Sequence, residues 1–285
     1  MTRQLTIIEC PRDAMQGITN FIPTGEKVRL LSALLEVGYP VIDFGSFVSP
    51  KAIPQMADTA EVLEQLEPKT TKLLAIIANL RGAQAAVSKD KVAILGYPLS
   101  ISETFQQRNS NKSIVESLEE LVEIAELAQV NGKELVVYLS MAFGNPYNDP
   151  YSVGMVSEFA GILASIGVKT MAISDTIGLA TATEVGNLFT ELSRQNPSIE
   201  WGLHLHARPD NTKEKLRAAL SAGCSRIDGA ILGYGGCPMA DDDLVGNMPM
   251  EKLLSFAQAR HIETDINNLA FESAYNKALD TFPMQ

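Results

Sequence analysis

The stretch "VKTMAISDTIGLATATEVGNLFTELSRQNPSIEWGLHLH", residues 168–206, reads as a strand, a helix and a second strand in succession. "VKTMAIS" and "IEWGLHLH" are short apolar runs with β-forming residues. Between them, "ATEVGNLFTELSRQN" carries Val185, Leu188, Phe189 and Leu192 at helical spacing. A helical crossover of this length joins parallel strands. The same alternation extends in both directions. Further strand-like runs are "QLTIIEC", "YPVIDFG", "KLLAIIA", "KVAILG", "ELVVYLS" and "RIDGAIL". Helix-period segments such as "GEKVRLLSALLEVG", "NKSIVESLEELVEIAELAQVNG", "VGMVSEFAGILASIG" and "TKEKLRAALSAG" separate many of them. Near-continuous apolar strands suit a sheet buried on both faces. Eight strands alternating with helices predict a (β/α)8 TIM barrel in the α/β class. A doubly wound open sheet is the alternative, but no G-x-G-x-x-G follows any strand. The barrel is expected over about residues 4–260, with a C-terminal helical extension over about 261–285. No linker or low-complexity tract interrupts the chain, so a single domain is expected.

Composition narrows the function. The chain has 285 residues, 46% hydrophobic and 20% charged, which fits a globular protein rather than a disordered one. A formal charge of −11 opposes nucleic-acid binding, which needs a basic surface. It leaves an anionic substrate open, provided the site supplies its own cations. No apolar run has the roughly 18 residues that span a bilayer, so no membrane is expected. The three cysteines, Cys10, Cys224 and Cys237, are too few and odd in number for a disulfide framework. With no secretory leader in "MTRQLTIIECPRD", a cytoplasmic location is expected.

Only three histidines occur, and "HLH" holds two of them. On a strand, alternate side chains share a face, so His204 and His206 project together. Barrel active sites lie at the C-terminal ends of the strands. The residues at those ends are Arg12 and Asp13, Asp43 and Ser46, Asn79, Ser140, Ser174 and Asp175, the two histidines, and Cys237 with Asn247. Two imidazoles with oxygen donors from Asp13 and Asn247 suit magnesium or manganese. No Cys-x-x-Cys suggests structural zinc. Several of these residues also have simpler readings. Asp43 can cap a helix, Asp175 can serve as an N-cap or turn residue, and Arg12 can be a rim ion-pair partner. Cys10 and Cys224 read as core, His261 as a capping or surface residue, and the run Asp241–Asp243 as solvated loop charge. Cys237, among glycines and a proline in "GYGGCPMADDD", reads as a functional thiol in a surface loop.

Several longer motifs carry a resemblance. They are "PRDAMQ" (11–16), "SFVSPKAIPQMAD" (46–58), "NSNKSIVESLEE" (109–120), "GNPY" (144–147), "SDTIG" (174–178), "HLH" (204–206) and "GYGGCP" (233–238). Together they resemble the 3-hydroxy-3-methylglutaryl-CoA lyase family, metal-dependent (β/α)8 barrels related to isopropylmalate and homocitrate synthases. The resemblance implies cleavage of 3-hydroxy-3-methylglutaryl-CoA to acetyl-CoA and acetoacetate, as in leucine catabolism. It implies Asp13, His204, His206 and Asn247 as ligands of a divalent metal, magnesium or manganese. It makes Arg12, Cys237, His204 and Asp43 catalytic, and Gln16, Ser46, Asn79, Ser140 and Asp175 substrate-binding. It also implies an acyl-CoA substrate and a homodimer. Arg81, Arg108, Lys112 and Lys51 stand in loops where they could meet coenzyme A phosphates.

The chain departs from the family pattern in places. Ala14 and Met15 replace a Gly-Leu pair, and Asp43 replaces a glutamate. Ala207 and Arg208 replace Asp-Thr, and Ala172 replaces a serine. The loop from Cys237 to Asn247 is one residue longer. These changes keep open the same chemistry on another 3-hydroxyacyl-CoA or hydroxy acid, or a barrel that binds without turnover.

Overall fold

The computed structural model describes residues 4–208, 210–236 and 245–283. Eight parallel strands close into a barrel in the order β1 to β8. They are β1 (Thr6–Glu9), β2 (Val41–Ser46), β3 (Lys72–Ile76) and β4 (Val92–Ser100). β5 (Glu134–Ser140), β6 (Thr170–Asp175), β7 (Glu200–Leu205) and β8 (Arg226–Gly229) complete it. The expected (β/α)8 architecture is therefore observed.

The helices are α1 (Pro11–Gln16), α2 (Thr24–Val37), α3 (Thr59–Gln65), α4 (Leu80–Val87), α5 (Glu103–Ser110) and α6 (Ile114–Val130). Then come α7 (Val153–Ser165), α8 (Ala182–Gln195), α9 (Thr212–Ser221), α10 (Met250–Gln258) and α11 (Asn268–Thr281). Local chemistry sets several starts. Ser113 with Glu116, and Thr181 with Glu184, form reciprocal caps that satisfy the first free N–H groups of α6 and α8. Pro11 opens α1, where its missing N–H costs nothing. α11 packs on α2, and the Asn267 N–H donates to the Val37 carbonyl at the end of that helix.

Alternation along each strand divides the apolar residues between two layers. Ile8, Val41, Leu74, Ile94, Val136 and Ala172 form a cluster separate from the much larger core, and Cys10 and Tyr138 belong to it. The larger cluster takes the other strand face together with the helices. Sheet register also sets the neighbours of the histidines. His204 stands beside Ser174 of β6 and Asp228 of β8. Among the described residues, no helix is long and apolar enough to cross a membrane.

Candidate metal centre and substrate cavity

Three ligating groups meet at the C-terminal mouth of the barrel. Asp13 sits in the first turn of α1, immediately past β1, and is 4% exposed. Its Oδ2 lies 3.5 Å from His204 Nε2 and 4.0 Å from His206 Nε2. The imidazole rings are 5.4 Å apart, on the same side of β7 as their spacing predicts. His206 lies just beyond the strand and bridges to Asn247. Asn247 donates from Nδ2 to Asp13 Oδ2 at 2.8 Å and to the Tyr234 carbonyl at 2.9 Å. A side chain at Gly235 would collide with that amide, so the close approach requires glycine there.

The set fits a hard divalent ion. Ligands about 2.1 Å from an octahedral ion sit about 3 Å from one another. Asp13, His204 and His206 present donor atoms that all lie within 4.8 Å, so small rotations reach that spacing. Turning the Asn247 amide over would offer its oxygen as a fourth ligand. Burial, with repulsion from His204, lowers the His206 pKa to about 4, leaving a neutral donor. His204 differs. Burial opposes its charge, but hydrogen bonds to Asp13 and Asp228 outweigh it and raise its pKa to about 10. Binding an ion through Nε2 therefore displaces a proton.

Arg12 frames the set. Its Nε and Nη2 donate to Asp43 Oδ2 at 3.0 and 2.6 Å, and its Nη1 to Asp13 Oδ1 at 3.2 Å and Gln16 Oε1 at 2.9 Å. Gln16 also donates to Asp13. Burial opposes the charge on Asp13, yet Arg12 and then the two histidines hold its carboxyl well below the usual range. Asp43 goes the other way: burial lifts its pKa to about 6 despite Arg12.

A cavity of about 150 Å3 opens beside these groups. Arg12, Asp13, Gln16, Ser140, His204 and His206 line it, with Val48, Ile53, Phe105 and Tyr138 among its apolar walls. Other residues expected at the site make bonds within the fold. Ser46 donates its hydroxyl to the Ile76 carbonyl. Asn79 caps α4 by accepting from the Gly82 N–H at 2.8 Å. Asp175 is an ion-pair partner of Lys215, 2.6 Å away, and accepts from the Ala180 N–H. None of the three is among the cavity-lining residues. Strand ends are where chain turns begin, so a polar residue there is often spent on the turn. Asp43 is not among the cavity-lining residues and holds the Arg12 guanidinium from the other side. Arg108 stacks over Tyr147 and Lys112 pairs with Glu120. Cys237 and Asp241–Asp243 lie outside the described residues.

Two functional neighbours escaped sequence reasoning. Asp228 Oδ2 is 3.2 Å from His204 Nδ1 and orients that ring. Lys215 donates to the His206 carbonyl at 2.8 Å as well as to Asp175. Asp228 was detectable as a lone carboxylate inside the apolar run "RIDGAIL". Lys215 carries no such mark within a polar helix.

The fold and mouth define a class: an α/β barrel with a carboxylate–imidazole metal set beside an arginine. The chain belongs to the HMGL-like family, whose profile matches residues 5–276. It is 35% identical over 269 residues to the mitochondrial hydroxymethylglutaryl-CoA lyase of Bos taurus, covering 93% of this chain and 82% of that one. A hydroxymethylglutaryl-CoA lyase structure from Pseudomonas aeruginosa superposes with a TM-score of 0.92 at 30% identity, covering 100% of this chain and 95% of that chain. An HMG-CoA lyase structure from Acinetobacter baumannii, in complex with coenzyme A and 3-methylmalate, gives 0.90 at 28% identity and covers 97% and 90%.

Proposed function

We propose that this protein is a metal-dependent carbon–carbon lyase that cleaves 3-hydroxy-3-methylglutaryl-CoA to acetyl-CoA and acetoacetate. The observation that carries the reading is the meeting of Asp13, His204 and His206 beside Arg12 at one cavity. Family membership and the named lyase relatives support it. Asp13, His204, His206 and Asn247 would hold magnesium or manganese. When bound, such an ion supplies Lewis acidity and a template for the substrate's hydroxyl and carboxylate oxygens.

The remaining work falls to the chain. Arg12, held rigid by Asp43, Asp13 and Gln16, directs a fixed cation at the thioester oxygen. Negative charge grows on that oxygen as the carbon–carbon bond breaks. The proton lost from the tertiary hydroxyl is balanced by the one gained at the new methyl group of acetyl-CoA. His204, with Nδ1 on Asp228 and Nε2 towards Asp13, is one candidate to pass that proton, and the Cys237 thiol is the other. Gln16 and Ser140 meet the polar part of the substrate. The protein works as one barrel domain, as a cytoplasmic homodimer, in leucine catabolism.

The test is direct. Purified protein with the thioester and magnesium or manganese should release acetoacetate, and chelation should stop the release. No release with either metal and added thiol reductant removes the substrate assignment. The apolar wall of Val48, Ile53, Ile76, Pro98 and Phe105 favours a second reading. In it, the same chemistry acts on a 3-hydroxyacyl-CoA with a larger apolar group on C3. A panel of such thioesters separates the two by kcat/KM.

A further inference from the structure

His204 also belongs to a second group of donors. Cys10 Sγ, a ring nitrogen of His204 and a carboxylate oxygen of Asp228 all lie within 4.8 Å of one another. His204 Nδ1 and Asp228 Oδ2 are 3.2 Å apart. Tetrahedral zinc, with nitrogen and oxygen ligands near 2.1 Å and sulfur near 2.3 Å, needs N···O and S···N separations of about 3.3–3.6 Å. The imidazole–carboxylate edge, at 3.2 Å, is slightly shorter, so the two groups part a little to admit an ion.

Cys10 packs in the inner apolar cluster and is 1% exposed, yet four carboxylates, Asp228, Asp43, Asp13 and Glu9, act on it electrostatically. Burial and these charges push its pKa up, so an ion must displace the thiol proton to bind there. Its Sγ makes a weak hydrogen bond to the Ile8 carbonyl at 4.0 Å. Asp228 and Asp43 are each at least 98% buried, and each has an Oδ1 with no hydrogen-bond partner. Unpaired carboxylate oxygens in a barrel interior are costly unless a cation meets them. Arg12 occupies the other oxygen of Asp43, not this one.

We propose that Cys10, His204 and Asp228 form an inner site for a thiophilic divalent ion of the zinc or cobalt kind. Thiolate donors select such ions over magnesium. The inner site is distinct from the set at the mouth. A neutral ring has one free lone pair, so His204 turns Nδ1 to the inner ion while Nε2 keeps its proton towards Asp13, and the two sites compete for one ring. The proposal does not depend on which reaction the protein catalyses.

Cobalt is the probe. Titrating the metal-free full-length protein with Co2+ should produce a thiolate-to-cobalt charge-transfer band in the near ultraviolet. The band should survive in Cys224→Ala and in Cys237→Ser, and disappear in Cys10→Ser. Survival in Cys10→Ser, or no band in the wild-type protein, overturns the inner site. If Cys10→Ser fails to fold, as judged by circular dichroism, the Cys237→Ser protein decides. X-ray absorption of its zinc form should show one sulfur at about 2.3 Å. A shell of nitrogen and oxygen alone overturns the proposal. Either failure leaves the lyase reading standing, because acetoacetate release is measured separately.

Discussion

Two buried ion pairs lie close to the histidines and differ in what surrounds them. Arg12 holds Asp43 at 2.6 Å and Asp13 at 3.2 Å at the edge of the cavity. Lys215 holds Asp175 at 2.6 Å behind the same strands. The side chain of Arg12 is 10% exposed, whereas Lys215 and Asp175 are 1% exposed. In the sealed pair, Asp175 also takes the Ala180 N–H, and the lysine also holds the His206 carbonyl. In the open set, Asp43 keeps one oxygen unpartnered and Asp13 shares its oxygens with groups suited to an ion. A sealed pair with its bonds satisfied supports the fold. An open set with donors to spare is suited to chemistry.

The largest expected effect comes from breaking the sealed pair. Lys215→Met leaves the Asp175 carboxylate buried without a cation, and such losses cost about 3–5 kcal/mol. It also frees the His206 carbonyl, so metal affinity should fall. Denaturant unfolding and a Mn2+ titration measure the two. A stable variant with unchanged Mn2+ affinity would show that the pair supports neither. Arg12→Gln should invert the pattern. Removing an aimed donor of this kind lowers the rate by about 10²–10³-fold. Stability should suffer less than in Lys215→Met, since water in the cavity can reach Asp13 and Asp43. Equal stability losses in the two variants would erase the distinction between open and sealed pairs.

Glu9 is the limiting case, sealed but with no cation among the causes of its shift. Burial raises its pKa to about 8, although the Ile231 N–H donates to it. In the unfolded chain the carboxyl titrates at its ordinary value of 4.5. Between these values the folded state keeps a proton that the unfolded state has lost. Stability from this group is therefore complete below about pH 4.5, declines as pH rises towards about 8, and is flat above. The slope is at most about 1.4 kcal/mol per pH unit. Subtracting a Glu9→Gln stability profile from that of the wild type should isolate this decline. Parallel profiles from pH 5 to 8 would mean that Glu9 is already ionised in the fold.

The barrel was legible because periodicity is a local property. Strands such as "ELVVYLS" and helices such as "ATEVGNLFTELSRQN" announce themselves within a dozen residues, and closure comes from having eight of them. His204 and His206 were legible for the same reason, since spacing on one strand sets their common face. Asp13 joined them through its position at a strand end. Lys215 was not legible, because its meaning lies in Asp175, a contact across 40 positions made only after folding. Nor could sequence separate Ser140, which lines the cavity, from Ser46, which bonds the Ile76 carbonyl. Both end barrel strands, and only the packed rim decides where each hydroxyl goes.

Asn79 gives the finest test of that last point. The resemblance made it substrate-binding, yet its Oδ1 accepts from the Gly82 N–H and closes the first turn of α4. Asn79→Ala should cost about 1 kcal/mol, the usual value of an N-cap. Asn79→Asp restores the cap acceptor and should recover most of that loss. A cap and a substrate contact have different kinetic signatures. If Asn79 only caps, KM for the thioester stays at its wild-type value in both variants. A rise in KM at unchanged stability would move Asn79 from the sealed group to the open one.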